Sequence, residues 1–208
     1  MVMKKSHLLL YLTISLSVLS SQAKEPSDPQ ITQFQKWHEE IQKDKALKTT
    51  FFNSGKEQLP VVTKLSRSES AAGALRKFEL SEQRSRTRKD TTYASDIKTT
   101  YFFHQGELFF VVQQDEKSRT RTKDGKAATD QRAGVYHYYF NKGKCILAMS
   151  KSVEAAGSAD IAKLLAAKKL EKNDSTEGTD IYLEISKELA AIQSQKDFSK
   201  YFNPEQGE

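Results

Sequence analysis

Across residues 75–150 the side-chain pattern has a period of two, and twice it runs through an aromatic arm, a glycine turn and an aliphatic arm. Residues 99–103 and 107–112 flank His104-Gln105-Gly106, and residues 135–140 and 144–149 flank Asn141-Lys142-Gly143. Alternation interrupted by a polar-glycine step predicts β-hairpins. With residues 75–88 as a preceding strand, the simplest arrangement is an antiparallel five-stranded β-meander. The two hairpins look alike, but the shared pattern is too short to establish an internal duplication.

Helical periodicity brackets this region. Asp28-Pro29 offers an N-cap followed by proline at the first helical position, and Ile31, Phe34, Trp37 or His38, and Ile41 recur at steps of three and four. A helix is expected over 29–50. After the sheet, Ser158 can cap a segment carrying Ile161, Leu164 and Leu165, and Thr179-Asp180 opens one carrying Ile181, Ile185, Leu189 and Ile192. These give helices over 158–171 and 179–196. The expected fold is α+β, with an N-terminal helix and two C-terminal helices packed on the meander.

The hairpins are apolar on both faces. Opposing His104 to Glu107 puts Tyr101, Phe103, Leu108, Phe110 and Val112 on one side, and Phe102, Phe109 and Val111 on the other. Opposing Phe140 to Lys144 again gives two apolar sides, with His137, Tyr139, Cys145, Leu147 and Met149 together on one. A sheet wetted on one face alternates polar with apolar residues, so both faces of this one need cover. Either the helices divide between them, or one aromatic face, marked by Tyr101, Phe103, Phe110 and Tyr139, receives a partner. Residues 115–134 hold no apolar side chain larger than alanine, which predicts a protruding turn or mobile loop.

Two near copies stand out among the polar residues. Arg84-Ser-Arg86-Thr-Arg88-Lys89-Asp90 and Ser118-Arg119-Thr-Arg121-Thr-Lys123-Asp124 alternate bases with hydroxyls, so the arginines of each segment share one side of a strand. With a turn near Lys89-Asp90, both fall at the sheet end opposite the Gln105-Gly106 turn. In an ideal register the first set faces away from the second; a bulge shifting the alternation by one residue would unite them. Arg84, Arg86, Arg88, Arg119, Arg121 and Lys123 are the candidate anion-binding residues, because guanidinium forks match phosphate, sulfate and carboxylate. The bland alternative is a soluble ribbon whose charge blocks edge pairing.

Residues 1–23 form a candidate secretory signal. Lys4 and Lys5 precede a twelve-residue apolar run over 8–19, and small side chains at Ser21 and Ala23 suit a signal peptidase cutting near Ala23. The run is shorter than the roughly 20 residues of a membrane-crossing helix. Removing 23 of 208 residues leaves 185, enough for one α+β domain over 24–208. The 33 basic and 27 acidic residues become 31 and 27 once Lys4 and Lys5 are gone, a mildly basic balance. Cys145 is the lone cysteine, so packing rather than a disulfide must hold the fold.

Catalytic motifs are missing. There is no His-Glu-x-x-His, Gly-x-Ser-x-Gly, phosphate-cradling or dinucleotide glycine pattern. His104 and His137 are the histidines to weigh for metal or acid–base work, and turn and core positions explain both. Cys145, on a predicted apolar strand, reads as a small buried hydrophobe. No metal or cofactor is expected. The sequence thus points to a secreted or periplasmic, noncatalytic protein that binds a polyanionic envelope or extracellular component, or another protein. An enzyme of unrecognised type and a structural envelope assembly protein are the alternatives.

Overall fold

A computed structural model of the chain describes residues 28–54, 61–157 and 159–202. The expected signal segment, Ser158 and residues 203–208 lie outside the described residues. The fold is α+β and built on one antiparallel sheet. Its strands are β1 (Lys48–Asn53), β2 (Val61–Glu69), β3 (Leu75–Arg88), β4 (Thr91–His104), β5 (Glu107–Lys123), β6 (Lys126–Asn141), β7 (Lys144–Ala156) and β8 (Glu171–Lys172). They lie side by side in chain order, a meander of eight strands among the described residues where five were expected. The helices are α1 (Pro29–Lys43), α2 (Ile161–Ala167), α3 (Asp180–Ala191) and α4 (Gln195–Phe202), and none is long and apolar enough to cross a membrane.

The added strands came from segments with weak or misleading patterns. Helix α1 begins as expected, with Asp28 accepting from the Gln30 N–H, but it stops at Lys43 rather than near Thr50. There the Asp44 carboxylate accepts the Ala46 N–H at 2.9 Å, an Asx turn that redirects the chain. Thr49, Thr50, Phe51 and Phe52 then suit a strand better than a helix. Residues 115–134 are not a loop but the outer halves of β5 and β6. Asp124 and Gly125 both have positive φ, 52° and 74°, as a two-residue hairpin turn requires. Pairing on both sides of each strand supplies the backbone hydrogen bonds, so a ribbon can form here without burying large apolar side chains.

The C-terminal helices also differ from expectation. Asp160 caps α2 by accepting the Lys163 N–H at 3.0 Å. The segment expected over 179–196 breaks after α3, and Ser194 and Asp197 cap α4 reciprocally. The Ser194 N–H donates to Asp197 at 3.0 Å, and the Asp197 N–H donates to the Ser194 hydroxyl at 3.2 Å.

Helices cover both faces at the glycine-turn end. Leu189, Ile192 and Phe198 of α3, α4 and their junction pack on Phe78, Tyr101, Phe103, Val111 and Phe140. On the other face Ile31, Phe34 and Ile41 of α1 pack on Phe102, Phe109, Phe110, Tyr139, Leu147 and Met149. Tyr101, Phe103, Phe110 and Tyr139 are only 1–4 % exposed, so the aromatic face suggested as a partner surface is interior. Nor do these four share a face: Tyr101 and Phe103 point toward α3 and α4, Phe110 and Tyr139 toward α1.

Two bulges explain that division. Phe102 opposes Phe110 while Phe103 opposes Leu108, leaving Phe109 as an extra residue in β5. Likewise Tyr139 opposes Leu147 and Phe140 opposes Cys145, leaving Ile146 extra in β7. The second turn is the pair Lys142-Gly143, with Asn141 opposite Lys144, one residue from the expected register. Cys145 therefore packs on the α3 side, away from Leu147 and Met149.

Candidate functional site

Beyond α1, α3 and α4 the sheet continues as a ribbon with α2 packed against β6 and β7, and the Phe109 bulge decides what it displays. Past that bulge the register brings Arg86 of β3, Tyr93 of β4, Arg119 of β5 and Asp130 of β6 into one cross-strand row. The row toward the core reads Arg84, Ser95, Lys117, Arg132 and Glu154; the row toward the turns reads Arg88, Thr91, Arg121 and Ala128. Directly opposed residues share a face, so both basic segments lie on the same side. Neighbouring rows on this face are about 7 Å apart along the strands, and β3 is about 10 Å from β5.

The face forms an open trough of about 1230 Å³ across β3 to β7. Five cations line it (Arg84, Arg86, Lys117, Arg119 and Arg132) against two carboxylates, Asp130 and Glu154. Arg88, Arg121 and Lys123 continue the same alternation toward the hairpin ends. Lys117 and Arg132 were missed in the sequence. Lys117 extends the Arg119, Arg121 alternation and was legible there, whereas Arg132 needs the β5–β6 register. The reverse face carries Thr87, Thr92, Thr120 and Thr129 in one row, and Asp96 opposite Glu116 in another. The basic surface is one-sided.

Its cations are held in different ways. Arg84 pairs with Glu82 at 3.1 Å, Arg121 with Asp130 at 2.9 Å, and Arg132 approaches Glu154 at 3.9 Å. Such exposed pairs are worth at most about 1 kcal/mol and exchange readily for another anion. Among the described residues Arg86, Arg88 and Arg119 have no carboxylate partner. Arg119 lies over the Tyr93 ring, 5.7 Å from its centroid, and Tyr93 is 42 % exposed at the middle of the trough.

Where trough meets core, Asp115 is only 4 % exposed. Lys117 donates to its Oδ2 at 2.9 Å, while no donor among the described residues reaches Oδ1. Gly134 stands opposite, and a Cβ there would lie 2.6 Å from both Asp115 Oδ1 and the Tyr136 hydroxyl. Deeper in, Tyr182 of α3 donates to Gln113 at 2.9 Å and packs 4.7 Å from Tyr138. Burial pushes the Tyr182 hydroxyl well above the ordinary phenol value and keeps it a donor.

The other chemically capable side chains are occupied elsewhere. His104 stacks on Trp37, ring centroids 3.8 Å apart, and its pKa is lowered by partial desolvation and then by Arg76. His38 and His137 meet the Phe110 ring edge-on at 5.1 and 5.3 Å, and burial holds both at about 4. Cys145 donates to the Leu147 carbonyl at 3.5 Å, and burial raises its thiol pKa, which disfavours a thiolate. No group of three or more His, Cys, Asp or Glu residues able to hold a metal ion occurs among the described residues. Comparison with protein-family models, curated proteins and solved structures gave no match.

Proposed function

We propose that the chain is an exported, noncatalytic binding protein that holds an anionic partner in the trough of β3 to β7. The observation that supports this most is the common face of Arg84, Arg86, Lys117 and Arg119, produced by one extra residue at Phe109. Arg86, Arg88 and Arg119, which have no carboxylate partner among the described residues, offer bidentate sites that need no prior ion pair broken. The export half rests on Lys4, Lys5, the apolar run and Ala23.

Replacing Arg84, Arg86, Arg119 and Arg121 with serine tests the binding half on a heparin column. The variant should elute at lower salt, and the logarithm of its affinity should fall less steeply with the logarithm of salt, by slightly under 1 for each ion pair to the polyanion that the substitutions remove. Unchanged retention with unchanged circular dichroism rejects the trough as an anion site. Mass spectrometry of the protein from a bacterial periplasm or medium should find Lys24 as the first residue. A chain still carrying residues 1–23 rejects export by cleavage.

A further inference from the structure

We propose that the anionic partner is single-stranded nucleic acid, laid along β3 and β5 with a base stacked on Tyr93; this rests on the trough being the anion site. Three features of the face favour it over a compact anion or a duplex. The cations form two tracks, Arg84, Arg86, Arg88 and Lys117, Arg119, Arg121, with matching rows about 7 Å apart. A repeating polyanion running along the strands meets each row in turn, whereas a lone phosphate would use one.

Between the tracks, β4 contributes Ser95, Tyr93 and Thr91, a hydroxyl in every row and an aromatic ring in the central one. That ring is exposed and already has a guanidinium lying over it, so an arriving base can stack on the arene, on the Arg119 plane, or between them. A sulfated glycan needs the cations but has no aromatic plane to set there. On the β7 side the trough is bounded by Asp130 and Glu154. Both are engaged by arginines, so the guanidinium groups without a carboxylate partner among the described residues fall on β3 and β5 alone, a width that suits one backbone rather than two.

Fluorescence anisotropy with a labelled oligothymidylate of about 15 nucleotides tests this, with duplex DNA of the same length and a heparin fragment as the other arms. Wild-type protein should bind the single strand more tightly than the duplex. Tyr93→Leu should weaken single-strand binding by roughly 5- to 150-fold, the worth of one base–aromatic stack, and leave heparin binding and the salt slope unchanged. Tyr93→Trp should keep the affinity, and Asp130→Asn with Glu154→Gln should narrow the gap to duplex. Heparin binding without oligothymidylate binding overturns the nucleic-acid assignment but leaves the trough as an anion site. So does Tyr93→Leu lowering both affinities equally, or duplex binding more tightly than single strand. If the four-arginine serine variant binds every probe as wild type does, both readings fall together.

Discussion

Acid should loosen this protein as pH falls below about 6.5, because two buried histidines pack edge-on to one phenylalanine. His38 comes from α1 and His137 from β6, and both rings meet Phe110 edge-on. Burial is the main cause of their lowered values; Lys77 adds to it at His38 while Glu39 opposes, and His38 and Lys151 add to it at His137. Each falls from 6.5 to about 4, so the unfolded chain takes up protons first as pH drops. Their contribution is therefore fully present above about pH 6.5 and lost as pH falls toward 4. At pH 5 the difference is about 2 kcal/mol for each ring, or about 4 for the pair, a large share of the 5–15 kcal/mol that holds a typical domain. Urea unfolding followed by fluorescence of Trp37, the single tryptophan, measures it. Between pH 7 and pH 5 the midpoint should drop by about 2 M in wild type, and by far less in a His38→Leu, His137→Leu variant. Equal drops in the two proteins would refute the reasoning.

Three further substitutions test the packing around the sheet. Gly134→Ala should cost about 1–3 kcal/mol in chemical unfolding, since the new methyl would overlap the buried Asp115 carboxylate and the Tyr136 ring; a variant as stable as wild type means the seam has room. Phe51 and Phe52 are adjacent on edge strand β1, yet Phe51 is 77 % exposed and Phe52 5 %. Phe52→Ala should lose about 3–5 kcal/mol while Phe51→Lys changes stability by less than about 0.5 kcal/mol. Similar destabilisation at both positions would mean that β1 is not seated with Phe52 inward.

The legible parts of this fold were those whose side chains leave no choice. Asp28-Pro29 supplies an N-cap and a proline at the first helical position, and a glycine takes the second positive φ in Gln105-Gly106 and Lys142-Gly143, so the start of α1 and the two hairpins followed from local chemistry. The break into α4 was not read, although Ser194 and Asp197 are spaced as a capping pair, because the longer apolar periodicity of α3 obscured it. Residues 115–134 were opaque for a different reason. Their strand character comes from pairing with neighbouring strands, and a ribbon with no apolar side chain larger than alanine has no apolar alternation to advertise it. The basic segments were visible as candidate sites, and a one-residue bulge was named as the condition for uniting them. Its position was not visible, because alternation locates a bulge only where one face is polar, and residues 99–112 are apolar on both.

The register places that bulge at Phe109, under α1. In a regular strand Phe109 and Phe110 would point to opposite faces, yet α1 has uses for both. Phe109 packs 5.7 Å from Phe34 and edge-on to Trp37, while Phe110 stacks 4.6 Å from Tyr139 and receives the two histidine rings. Both faces are covered at this end, so the bulge does not decide whether these rings are buried but which helix they meet, at a cost of roughly 1 kcal/mol for one displaced backbone hydrogen bond. The shift persists along β5, because the ladder beyond Phe109 is regular as far as Lys123. Core packing beside the Gln105-Gly106 turn thereby sets which way Lys117, Arg119 and Arg121 face at the far end of the strand. Arg86 and Arg119, with no carboxylate partner among the described residues, stand on one face because the register that aligns them is set inside the aromatic core.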